Sequence, residues 1–144
     1  MSENLFILTI GGADSTATLV RDGRYGYSNS AVNDENFPIR PRRILTRTIE
    51  IIVPRMLLTS DEMLQEFEHK EVERPTYEDA LYFGAAYPKE QERHAIVFLH
   101  KPFPLYGRPC TIVLYGVSGY RCLELDFLNL WFEGFAFAAV RKDA

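Results

Sequence analysis

The chain has 144 residues, 47% of them hydrophobic, 13% aromatic and 25% charged, which suits one domain with its own core and excludes a disordered chain. Sixteen Lys and Arg against twenty Asp and Glu leave a formal net charge of -4, which argues against nucleic acid as a partner. No apolar run approaches the ~20 residues of a membrane span, and MSENLFILTIGGADS carries no basic stretch ahead of its apolar part, so the expected setting is the cytoplasm, away from membranes.

Leu5–Ile10 is a short apolar run ended by Gly11-Gly12 and predicts a strand. Asp14 or Ser15 then caps a short helix over Thr16–Asp22, with Gly23 at the left-handed position after it. Arg24–Ser30 is aromatic and polar, and Asn33, Asp34, Asn36 and Pro38 mark a loop. Leu45–Val53 predicts a half-buried strand with Leu45, Ile49, Ile51 and Val53 on one face, closed by Pro54. Ser60 caps a helix that opens with Asp61 and Glu62 and carries Met63, Leu64 and Phe67 on its apolar side. Thr76 caps a second helix, Asp79 stands where a capping-box acid belongs, and Tyr77, Ala80, Leu81 and Gly84 form its packing face. Ala95–Leu99 predicts a buried strand and the proline-rich Lys101–Pro109 a loop. Thr111–Tyr115 and Tyr120–Asp126 predict a hairpin, with Leu123 and Leu125 inward and Glu124 and Asp126 outward. Phe135–Val140 is the final strand. Strands, two consecutive helices, then strands predict a single α+β domain with a mainly antiparallel sheet. Leu5–Ile10 and Phe135–Val140, both apolar throughout, are expected to pair with each other and join the two ends of the chain.

Charge is unevenly spread. Between Arg40 and Arg55 stand five arginines (Arg40, Arg42, Arg43, Arg47, Arg55) and one acid, Glu50. Arg42 and Arg43 are the candidates for a phosphate contact, although arginines beside prolines usually solvate a connector. Cys110 and Cys122 are too few for a disulfide framework. With the hairpin turn centred on Val117-Ser118, Cys110 faces Leu125 and Cys122 faces Val113, about 10 Å out of register, so both are expected as buried free thiols.

Complete catalytic sets are missing. His94 and His100 are ~20 Å apart along a strand, His69 lies on a polar helix, and no metal-ligand spacing is present. Gly116-Val117-Ser118-Gly119 has Tyr120 where a nucleophile elbow needs a small residue, and reads as a hairpin turn. Gly11-Gly12 lacks the further glycines and lysine of a phosphate loop. No cofactor is therefore expected, and an enzyme is the less favoured reading. Aromatic residues are in surplus late in the chain, where Tyr106, Tyr115, Tyr120, Trp131 and Phe132 cluster around the loops. Tyr106, Tyr120, Trp131 and Phe132, with Glu133 beside them, are the candidate contact residues for a protein or small-molecule ligand.

Two resemblances are carried by particular residues. GRYGYSNSAVNDENFPI, RPTYEDALYFGAAYPKEQERHAIVFL and the closing FAFAAVRK resemble a set of short, uncharacterised bacterial proteins, which brings no activity with it. More distantly, SDEMLQEFEH followed by ERPTYEDALYFGAA and a last strand ending FAAVR is similar to C-type-lectin-like domains of the formylglycine-generating-enzyme type. Arg74-Pro75-Thr76 with Glu78 matches the start of that family's RLPT-E-x-E-W motif. The motif's leucine and tryptophan, the GFR triplet of the closing strand and the paired catalytic cysteines are absent, so the resemblance implies a binding scaffold and not the enzyme. Its contact surface would be the loops at about Leu128–Gly134. The expectation is thus a non-catalytic binding module. The alternatives are a small enzyme or a phosphate- or nucleotide-handling protein using the Arg40–Arg55 strip, and a structural or assembly subunit.

Overall fold

The computed structural model describes residues 4–39, 43–128, 130–131 and 134–142. Strand β1 (Leu5–Ile10) leaves through two glycines into helix α1 (Thr16–Gly23), whose N-cap Ser15 accepts the Thr18 N–H at 3.1 Å. Arg24, not Gly23, takes the left-handed conformation after α1, at φ 51. Gly23 is small for another reason: a Cβ there would lie 2.3 Å from the Tyr25 ring. Strands β2 (Tyr27–Ser28), β3 (Leu45–Ile52) and β4 (Leu58–Thr59) follow, then helix α2 (Ser60–His69), strand β5 (Val72–Glu73) and helix α3 (Tyr77–Ala86). Both α2 and α3 begin with complete capping boxes, Thr59 with Glu62 and Thr76 with Asp79. Ser60, expected as the cap of α2, is instead its first residue. A short helix, α4 (Glu90–Arg93), precedes strands β6 (Ala95–Leu105), β7 (Arg108–Val117), β8 (Tyr120–Phe127), β9 (Leu130–Trp131) and β10 (Phe135–Arg141).

The chain forms one α+β domain around an eight-stranded sheet, ordered β1-β3-β10-β6-β7-β8-β2 with β5 also on β10, beside a two-stranded β4–β9 ribbon. The sheet is mixed: β10 runs parallel to β6 and β2 parallel to β8, while the other ladders are antiparallel. The two terminal strands do not pair. β3 lies between them, holding β1 on one edge (Phe6 opposite Ile49) and β10 on the other (Phe137 opposite Ile52). An apolar run needs cover on both sides, and β3 is a partner long enough to serve both neighbours.

Lys101–Pro109 is strand, not loop. β6 and β7 close through a two-residue turn at Tyr106-Gly107 with φ of 53 and 75, and Pro104 faces Pro109 at the pair next inward. That pair does not exchange backbone hydrogen bonds in a hairpin of this type, so neither missing N–H is needed. The turn between β7 and β8 sits at Ser118-Gly119, which moves the expected register by two residues: Cys110 faces Phe127 and Cys122 faces Tyr115. Both cysteines are free and buried.

One face of the sheet packs under α1 and α3 through Leu8, Ile49, Ile96, Ile112, Leu123 and Ala138. Helix α3 is buried almost all round, and its Gly84 admits the Tyr25 hydroxyl, which would stand 1.8 Å from a Cβ. The other face carries a second core of Val97, Leu99, Val113, Phe137, Phe67 and Trp131, supplied by α2 and the β4–β9 ribbon.

Candidate functional site

That second core covers only part of its face. Above β7 and β8 the sheet stays open, and a cleft of about 680 Å³ remains. Its floor is alternate residues of neighbouring strands, Val113 and Tyr115 on β7 with Glu124 and Asp126 on β8. The junction of α4 with β6 (Arg93, His94, Ala95) forms one wall, and Gly134 and Phe135 border it at the start of β10.

The walls are held firmly. Buried Gln91 of α4 donates from Nε2 to the carbonyls of Tyr115 (2.8 Å) and Cys122 (3.1 Å) and accepts from Arg121 Nη2 (2.8 Å). Arg121 also donates to the carbonyls of Pro88 (3.0 Å), Gly84 (2.7 Å) and Gly23, and its guanidinium lies 4.7 Å above the Tyr25 ring centre. One side chain thus ties the ends of α1 and α3 to the hairpin that floors the cleft. Beneath that guanidinium, burial pushes the Tyr25 hydroxyl up to about 12.

Two groups on the floor are electrostatically strained. Burial, reinforced by Glu124, raises the Asp126 carboxyl above its ordinary range. The Tyr115 hydroxyl is raised by burial first, then by Cys122 and by the two carboxylates. Glu124 is fixed by the Asn29 side-chain amide (2.6 Å) and the Leu125 N–H (2.9 Å), both on Oε1. Two carboxylates two residues apart on one strand face, beside a phenol, favour a positively charged occupant such as an amine or guanidinium.

The residues singled out from sequence do not form one patch. Tyr106 is 91% exposed at the β6–β7 turn and Tyr120 62% exposed beside the β7–β8 turn, at opposite ends of β7, about 30 Å apart at ~3.3 Å per residue. Tyr120 leans across Gly26. Trp131 is 3% exposed and so is no surface anchor. Its Nε1–H donates to Ser60 Oγ at 2.9 Å and its ring meets Phe135 and Phe137 edge-on. Phe132 and Glu133 lie outside the described residues, as do Arg40 and Arg42. Arg43 is exposed, Arg47 is committed to buried Asp79 at 2.9 Å, and Arg55 lies beyond the far end of β3, so these three do not converge.

Sequence reasoning missed Tyr115, Glu124 and Asp126 as a site. Their signal was the alternation Leu123-Glu124-Leu125-Asp126, which sets both acids on the face opposite the main core; what made that face a cleft was the incomplete cover above it. His94 borders this cleft, whereas His69 is exposed on α2 and His100 is buried in β6. Among the described residues no three of His, Cys, Asp and Glu gather as metal ligands, and no helix is long and apolar enough to cross a membrane. No family model, curated protein or solved structure matches the chain.

Proposed function

We propose that the protein is a non-catalytic recognition module whose cleft over β7 and β8 receives a cationic group, carried by a small ligand or by a basic side chain of a partner protein. The observation that carries this reading is the convergence of Tyr115, Glu124 and Asp126 on a part of the sheet face that the second core leaves open. A relation to lectin-like scaffolds is supported by the two capped helices in succession and by the place of Gly134 and Phe135 at the cleft border; the strand interposed between the chain ends is what sets this domain apart. Two free buried thiols fit a reducing, cytoplasmic setting. Calorimetric titration with ethylguanidinium and n-butylammonium tests the proposal. Binding by the native protein that weakens at least fivefold in Asp126→Asn is expected, with acetate inert; equal heats from the native protein and the variant would refute it.

A further inference from the structure

A second surface stands apart from the cleft. Between the end of β3 and α2 runs a groove of about 300 Å³, bordered by Val53, Met56, Leu58 and Met63. Two apolar residues of its lining are exposed, Val53 at 44% and Met56 at 62%, and their chain neighbour Leu57 is 47% exposed. Scattered exposed apolar residues need no explanation, but a cluster beside a groove marks a binding surface. Methionine suits such a surface because its unbranched, polarizable side chain adapts to different occupants.

Charge around the groove selects the occupant. Arg55 and Lys70 flank it, and the acid on its wall, Glu66, already has His69 at 3.9 Å. The balance at the rim is positive on a chain that is negative as a whole. We propose that this groove docks a segment of a partner protein that presents leucine-sized side chains to Val53 and Met56 and carboxylates to Arg55 and Lys70. This inference does not depend on the cleft, which favours the opposite charge.

The chain contains only three methionines, Met1, Met56 and Met63, so methyl-labelled methionine gives three signals and two report on the groove. The probes are two synthetic twelve-residue peptides, one alternating Leu with Glu and one Leu with Lys, added to the full chain, with Met56→Leu assigning the signals. The Leu/Glu peptide is expected to move both groove methyls and to bind at least fivefold more weakly to the Arg55→Ala, Lys70→Ala double variant and at 0.5 M salt. An unchanged amide spectrum of that variant shows that its fold is intact. The Leu/Lys peptide should leave the methyls in place. No methyl shift with the Leu/Glu peptide, or equal shifts with both peptides, would overturn the proposal. So would concentration-dependent methyl shifts without peptide, which would assign the groove to a second copy of the chain.

Discussion

His100 does for the β6–β7 ladder what a main-chain carbonyl does elsewhere. The two strands slip register between Phe98 and Phe103, and the buried imidazole fills the gap, accepting the Ile112 N–H on Nε2 (3.0 Å) while Nδ1 bonds the Lys101 carbonyl (2.7 Å). Arg74 takes the carbonyls of Leu99 and His100 at 2.9 and 3.1 Å, so the bulge is satisfied from both sides. That role requires a neutral ring, and burial lowers the His100 pKa from 6.5 to about 4. Below pH 6.5 the unfolded chain takes up the proton before the folded one does. Stability should therefore fall as pH drops from 6.5 to 4, by about 3 kcal/mol from this group. Urea midpoints across that range check it; a His100→Gln variant should show a flatter profile, and an equally steep one would assign the loss to other groups. Tyr25 and Gly84 form a second test. Gly84→Ala drives a methyl into the Tyr25 hydroxyl and should cost about 1–3 kcal/mol, and adding Tyr25→Phe should recover part of it. Additive losses in the double variant would show that the two sites do not touch.

Elements were legible where a local rule decides them. Ser15 and Thr76 name their helices, and Asp79 closes its capping box as the spacing implies. Three readings differ because a contact, not a local rule, decides the outcome. Gly23 suits cap chemistry but serves the Tyr25 ring, the prolines at 104 and 109 tolerate a strand because they face each other, and β1 and β10, alike in sequence, both pair with the distant β3. The β7–β8 register moved because the turn chose Ser118-Gly119, where glycine accepts φ 85 and Ser118 stands at φ 49. Asn before Gly suits such a turn better. Ser118→Asn should accordingly raise stability by about 0.5 kcal/mol, read by thermal melting; a loss would contradict the turn geometry. Phe137 on central β10 is 1% exposed between Ile52 of β3 and Val97 of β6. Phe137→Ala should cost about 3–5 kcal/mol, and ending the chain at Gly134 should leave it insoluble because β3 and β6 each lose the strand that joins them and expose an edge. A soluble truncation that melts cooperatively would refute the sheet order.

At the scale of the molecule, helices protect one sheet face while the other is left half covered, and the stretches GRY, NS, NFP and YPKEQ act mainly to hold that arrangement. Tyr25 seats on Gly84, Asn29 holds Glu124, buried Phe37 stacks near Tyr77 and Phe103, and Gln91 pins the hairpin. The aromatic surplus of the late chain was readable, but whether each ring faces core or solvent depended on α2, which brings Ser60 to Trp131. The cleft leaves a different mark. Because burial and Glu124 raise the Asp126 pKa, its ionised form disfavours the folded state, and stability from this group declines as pH rises through that raised value. Asp126→Asn should therefore keep or raise the melting temperature while weakening cation binding, and native affinity should fade as pH drops through the same range. The most direct measurement is amide shift mapping of the native protein at neutral pH with ethylguanidinium, against acetate at the same ionic strength. The expected result is saturable shifts confined to Tyr115, Gly116, Glu124, Asp126 and the adjoining His94–Ala95 strand end with ethylguanidinium alone. Shifts scattered over the surface, or the same shifts with acetate, would contradict a cation-recognising cleft.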